Sequence, residues 1–153
     1  MEKVLKISKL INEDFIIDIT SDSKQDALME LLHVICNNPK ITDCKVFKKE
    51  IFNREELMST GIGYVIAIPH ARHKTVKDFV MAIGRKKDGL EYESIDDKPV
   101  KLIFMIGASD TQDKDYIRLL ARLVLRLKNK EFVDKILAAE NSKEIFHIIE
   151  TQR

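Results

Sequence analysis

Apolar positions recur along this chain with two different periods, and the change of period separates helical ends from a strand-rich middle. Ser23 with Asp26 three residues on reads as a capping box, and Ala27, Leu28, Leu31, Leu32, Ile35 and Cys36 follow at helical spacing. Asn37-Asn38-Pro39 stops that helix. A second helix is expected to start near Thr42 or Asp43, to carry Cys44, Phe47 and Ile51 on one face, and to fade near Asn53. Beyond it, Val65 to Ile68, Phe79 to Ile83 and Val100 to Ile106 are short apolar runs bounded by Gly, Pro or charges, which predicts buried strands. An earlier strand is predicted near Phe15 to Ile19. Lys86-Lys87-Asp88-Gly89 reads as a turn leading to the alternating Leu90-Glu91-Tyr92, and Asp96-Asp97-Lys98-Pro99 as another.

From Gly107 onward the helical period returns, with Tyr116, Leu120, Leu123, Val124 and Leu127 on one stripe. Phe132, Ile136 and Leu137 predict a shorter helix, and Asn141 with Glu144 caps a last one carrying Ile145, Ile148 and Ile149. Helices at both ends with strands between predict an α/β domain: a sheet covered by helices, with some antiparallel hairpin pairing rather than a regular βαβ repeat.

Length and charge narrow the function classes. A chain of 153 residues that is 44% hydrophobic supports one core and not two, so residues 1–153 are read as a single domain. Lys and Arg (26) nearly balance Asp and Glu (25), which removes any overall field for nucleic acid or an anionic membrane. The longest apolar run, Leu102 to Ile106, is far short of the roughly 20 residues a membrane span needs. The start, Met-Glu-Lys-Val-Leu-Lys-Ile, has no signal-peptide core, and a cytoplasmic protein is expected. In that compartment Cys36 and Cys44, eight apart across the turn, are expected as reduced structural thiols, although a disulfide between them is geometrically conceivable.

Candidate chemistry concentrates between Asn53 and His73. Gly61 and Gly63 allow a tight backbone that brings N–H groups to an anion, while Ser59 and Thr60 add hydroxyl donors, a combination suited to a phosphate-binding loop. The apolar run that follows ends in Pro69, which closes the ladder and delivers His70 at a strand end, where sheet proteins commonly place ligands. A neutral imidazole is nucleophilic near pH 7 without a separate base and forms covalent intermediates. Arg54 and Arg72 are the nearby cations that could neutralise phosphoryl oxygens, or else solvated surface charges. His73 with His70 forms His-x-x-His, but no cysteine or carboxylate cluster completes a metal site, and no metal is expected.

Ser59-Thr60-Gly61-Ile62-Gly63, six residues, then Pro69-His70-Ala71 closely resembles the IIA domain of the fructose/mannitol class of the bacterial phosphoenolpyruvate-dependent sugar phosphotransferase system, including its nitrogen-regulatory paralogues. The likeness extends to Asn53-Arg54-Glu55-Glu56-Leu57, to Gly89 through Asp96, to Pro99-Val100 and to Leu119 through Leu123. It implies a three-layer sandwich with a mixed sheet of about five strands and helices on both faces. It also implies that His70 accepts a phosphoryl group from the carrier protein HPr, through Nε2, and passes it to a IIB domain, with no cofactor. Arg54 is then the charge partner, the loop from Ser59 to Gly63 shapes the pocket, and Arg72 and His73 stand at its rim.

Two positions depart from the family pattern. Tyr64-Val65 replaces the usual Asn-Gly, and Tyr116 stands where a second histidine is common. A phenol donates one hydrogen bond but stays neutral to about pH 10, so Tyr116 cannot supply a cation's attraction. Three functions are therefore carried forward: a phosphocarrier for sugar uptake, of fructose type; a regulatory module whose His70 phosphorylation state selects a protein target; and a IIA-like binding module that transfers nothing. The sugar itself is not legible, because a domain that handles the phosphoryl group need not touch it.

Overall fold

The computed structural model describes residues 7–151. Two 3-10 turns, Ile7–Lys9 and Glu13–Phe15, lead into β1 (Ile16–Asp18), followed by α1 (Lys24–Ile35) and α2 (Cys44–Leu57). The middle of the chain holds β2 (Gly61–Gly63), β3 (Ile66–Ala67), β4 (His70–Arg72), β5 (Val80–Leu90) and β6 (Val100–Ala108). Three helices close it: α3 (Asp113–Leu127), α4 (Lys130–Ala138) and α5 (Ser142–Thr151).

The strands form one mixed sheet in the order β1-β5-β6-β3-β2, with β4 also on β6. β5 and β6 are antiparallel, β1 lies parallel to β5, and both β3 and β4 lie parallel to β6. Among the described residues the sheet has six strands, because the edge beside β6 is covered by two short strands separated at Pro69, whose carbonyl still accepts from Ile106 N–H at 3.0 Å. Proline has no N–H for the ladder, so the edge breaks there and restarts at His70.

Both faces of the sheet are apolar, as the near-continuous hydrophobic runs of β5 and β6 require. On β6, Leu102, Phe104 and Ile106 point toward α3, α4 and α5, while Ile103 and Met105 point toward α1 and α2. Met81 and Ile83 against Val80 and Ala82 repeat the alternation on β5. The predicted helix starts hold: Ser23 Oγ accepts from Asp26 N–H at 3.1 Å, Asp43 Oδ1 from Val46 N–H at 3.2 Å, and Asn141 Oδ1 from Glu144 N–H at 2.9 Å.

Four expectations need correction. The Lys86–Gly89 segment is not a hairpin turn but a bulge inside β5: Arg85 faces Leu102 and Leu90 faces Val100, so β5 takes three more residues than β6 over the same span. Gly89 turns there at φ +87°, and Tyr92 lies outside any strand. α2 runs on to Leu57 instead of fading at Asn53, because Arg54 Nη1 donates to the Met58 carbonyl at 2.8 Å and satisfies its last turn. The glycine segment is a strand: Gly61–Gly63 pairs with Ile66–Ala67 around Tyr64 and Val65, whose φ values are 57° and 62°. Finally, Cys36 and Cys44 are not free thiols but a disulfide, with Cα atoms 5.7 Å apart. The first follows the last residue of α1 and the second opens α2, and the reversal between the helices brings them together.

Candidate functional site

His70 is the first residue of β4, and its half-buried ring lines a cleft of about 640 Å³. The cleft is walled by Arg54, by the segment from Met58 to Ile62, by Glu93 and Ile95, and by Leu120 and Val124 of α3. His70 Nδ1 lies 2.6 Å from the Ile68 carbonyl. A carbonyl only accepts, so Nδ1 carries the proton and Nε2 keeps its lone pair. Burial pushes the His70 pKa below the usual imidazole range; the Ile68 hydrogen bond pulls it up, the Arg54 charge lowers it, and Glu55 raises it. The ring is therefore held neutral, in one tautomer, with its nucleophilic nitrogen defined.

Arg54 sits in the last turn of α2, where its Nη1 holds the Met58 carbonyl and anchors the guanidinium at the cleft wall. Tyr116, in the first turn of α3, packs its ring 5.9 Å from that of His70, tilted by 56°. It is 8% exposed and belongs to the core between the sheet and α3, so the ring that packs beside the histidine is also part of the core. Burial raises the Tyr116 phenol above its usual range, against the opposing charges of Arg72 and Arg54.

Arg72 and His73 are held elsewhere. Arg72 forms an ion pair with Asp113 at the start of α3 and places its guanidinium carbon 5.4 Å from the Tyr116 ring centroid. His73 Nδ1 accepts from Thr75 N–H at 3.1 Å and lies 2.9 Å from the Thr75 hydroxyl, which makes it part of the turn after β4. Neither residue lines the cleft.

The loop from Ser59 to Gly63 borders the cleft but is not arranged as a cradle of outward N–H groups. Thr60 N–H donates to Glu55 at 3.0 Å, and the Thr60 hydroxyl also bonds Glu55. Gly61 N–H donates to Ser59 Oγ and Gly63 N–H to Ser94 Oγ, both at 3.2 Å. The Ser59 hydroxyl in turn donates to the Tyr92 carbonyl. Glycine is required at position 61 for packing: a Cβ there would lie 2.8 Å from Ser94 Cα. The expected phosphate-binding loop is thus a wall braced against the segment from Tyr92 to Ser94, because hydrogen bonds within the fold already take these donors.

Glu55, Lys24 and Tyr92 escaped the sequence reading. Glu55 is buried and receives Thr60 N–H, the Thr60 hydroxyl, the Tyr92 hydroxyl at 3.0 Å and Lys24 Nζ at 2.9 Å. In the sequence it is one of several charges in Asn53-Arg54-Glu55-Glu56, and only its position on the inward side of α2 distinguishes it. Around the cleft mouth Met58 and Ile95 are exposed, and Leu57 and Ile117 are exposed on the neighbouring turns of α2 and α3.

The chain is similar to known proteins. A fructose-specific EIIABC component from Bacillus subtilis is 38% identical over 95% of this chain, which spans 23% of that protein's length. A nitrogen regulatory protein from Bradyrhizobium diazoefficiens is 27% identical over 84% of this chain and 83% of its own. Among solved structures, nitrogen regulatory protein IIA-Ntr from Neisseria meningitidis superposes with a TM-score of 0.86 at 25% identity, over 94% of this chain and 98% of that one. The mannitol IIA of Escherichia coli gives 0.76 at 15% identity, over 91% and 98%, a likeness of fold. With the family model for the phosphoenolpyruvate-dependent sugar phosphotransferase system, EIIA 2, matched over residues 9–152, the chain belongs to that family.

Proposed function

We propose that this protein is a phosphocarrier that accepts a phosphoryl group from phospho-HPr on Nε2 of His70 and passes it to a IIB component, of fructose type. One observation carries the reading: the Nδ1 bond to the Ile68 carbonyl leaves a neutral imidazole with its Nε2 lone pair available beside an arginine in a cleft. In this tautomer Nε2 has no proton to lose. Its lone pair forms the new N–P bond as the donor's N–P bond breaks, the donor nitrogen takes back that electron pair, and Nδ1–H stays on Ile68. Arg54 supplies charge-assisted hydrogen bonds to the phosphoryl oxygens. The exposed Met58 and Ile95 at the cleft offer apolar surface that excludes water around the transferring group when a partner docks.

Incubation with phosphoenolpyruvate, enzyme I and HPr, followed by intact-mass measurement, tests the reading. An added acid-labile phosphate that requires HPr and disappears in His70→Ala is the expected result. Labelling that persists in His70→Ala, or none in the wild type, refutes it. The similarity to nitrogen regulatory proteins supports a second reading, in which the phosphorylated and free forms bind different protein targets. Transfer from the phosphorylated protein to a purified fructose-type IIB domain separates the two: a carrier is discharged and a regulatory module keeps its phosphate.

A further inference from the structure

We infer that Glu55 is a positioning residue for the phosphoryl site, acting through Thr60 and the Met58 carbonyl on Arg54; this rests on the phosphocarrier reading of His70. An ionised carboxylate offers about four lone-pair sites, and four donors converge on Glu55. Oε2 receives Thr60 N–H at 3.0 Å and Lys24 Nζ at 2.9 Å. Oε1 receives the Tyr92 hydroxyl at 3.0 Å and the Thr60 hydroxyl. Lys24 in addition stacks 4.4 Å from the Tyr92 ring centroid, so the first turn of α1 closes the cluster from outside. The carboxylate side chain is 5% exposed, so water does not replace a partner that leaves.

The consequence for the site follows from chain connectivity. Glu55 is the neighbour of Arg54 on α2, and Thr60 is two residues beyond Met58. Gripping Thr60 by both N–H and hydroxyl fixes the path of residues 58–60 as they leave the helix, and so fixes the Met58 carbonyl. That carbonyl is the acceptor that holds Arg54 Nη1 at 2.8 Å. One guanidinium edge is therefore tethered to the backbone while the remaining donors stay directed at the cleft that His70 lines. Removing the grip frees the segment and lets the guanidinium leave, without touching His70.

The test is a double-mutant cycle between Glu55→Gln and Arg54→Ala, read as the rate of His70 phosphorylation by phosphoramidate, a small donor that needs no protein partner. Glutamine keeps the shape but presents an NH₂ to two donors, so the grip fails at one edge. Glu55→Gln is expected to slow labelling about tenfold when Arg54 is present and to have no further effect in Arg54→Ala. Thr60→Val, which removes one of the four bonds, gives a smaller loss with the same non-additivity, and it serves where Glu55→Gln lowers stability. A merely structural Glu55 gives the same loss in both backgrounds, and that additivity overturns the inference, as does a wild-type rate in Glu55→Gln. Protection of the Arg54 guanidinium protons from exchange, measured by NMR with no phosphoryl donor present, reads the same tether independently of labelling. Protection kept in Glu55→Gln refutes the inference, whereas an unlabelled wild type with protection lost in Glu55→Gln refutes only the carrier reading.

Discussion

Arg54 is the residue at which structure and chemistry make the sharpest joint prediction. Its guanidinium serves the Met58 carbonyl with one nitrogen and faces the His70 cleft with the rest, a division that a planar five-donor group allows and an ammonium does not. If Arg54 acts as proposed, Arg54→Ala removes charge-assisted bonds to the phosphoryl oxygens worth about 1.5–3 kcal/mol, and transfer slower by roughly 10- to 150-fold is expected. Arg54→Lys keeps the charge but must leave either the carbonyl or the phosphoryl group, so an intermediate loss of about three- to tenfold is expected. Loss of the helix-end bond costs about 1 kcal/mol, a fall in Tm of about 2–4 °C for a chain of this size, so both variants fold. Single-turnover phosphorylation by phospho-HPr, sampled by rapid quench, gives the rates. A titration of the His70 ring by NMR gives the second half of the prediction: the Arg54 charge lowers the His70 pKa, so Arg54→Ala moves it upward. Wild-type rates in both variants, or a His70 pKa that does not rise in Arg54→Ala, would refute the argument that this cation faces the imidazole.

Four further outcomes follow from the geometry. Because burial holds the folded-state pKa of His70 below the usual 6.5, its contribution to stability is complete above pH 6.5 and is lost as pH falls from 6.5 toward the folded value; urea melts of wild type and His70→Gln across that window should diverge as pH rises, and parallel curves would contradict the buried neutral ring. Tyr116→Phe preserves the ring packed on His70 and should change the transfer rate by less than about threefold, whereas a loss of 10-fold or more would mean that the hydroxyl bonds a phosphoryl oxygen. Tyr116→His should speed phosphoryl exchange most below about pH 7, where the imidazole is more often cationic; equal rates across pH would show that the carrier works without a second cation there. Reducing the Cys36–Cys44 disulfide opens a loop of eight-residue separation, which in the chain-entropy relation is worth roughly 2.5 kcal/mol, so Tm should fall by about 5–10 °C with reductant, and identical melts of reduced and oxidised protein would remove its stabilising role.

Much of the architecture is legible from local rules. The caps at Ser23, Asp43 and Asn141 rest on side chains that reach backbone N–H groups three residues ahead, which any short window of sequence displays. The runs Val80 to Ile83 and Val100 to Ile106 are apolar at every position because both faces of the sheet are covered, and that predicts buried strands before any partner is known. Gly-Ile-Gly followed at fixed distance by Pro-His singles out His70 for the same reason: a strand-breaking proline ahead of an imidazole is a feature of sequence alone.

What local rules do not carry is how atoms far apart in the chain take up one another's bonding capacity. Ser59, Thr60, Gly61 and Gly63 have the composition of an anion cradle, yet Glu55 engages the Thr60 N–H and hydroxyl, Ser94 the Gly63 N–H and Tyr92 the Ser59 hydroxyl, while Gly61 N–H turns back to Ser59 Oγ. Arg72 shares a face of β4 with His70, yet its guanidinium is drawn to Asp113 at the start of α3, and the following turn draws His73 to Thr75, so neither lines the cleft. Lys86 to Gly89 has the chemistry of a hairpin turn, and only pairing with β6 makes it a bulge. The cysteine pair follows the same logic: compartment argued for thiols, whereas the reversal between α1 and α2 sets the two Cα atoms 5.7 Å apart. Residue identity along the chain thus determined most of the elements and singled out His70 as the proposed nucleophile, because both depend on short-range pattern. Tertiary packing decided which donors remain free to meet a phosphoryl group, because a hydrogen-bonding atom is available only after every closer partner in the fold has been counted.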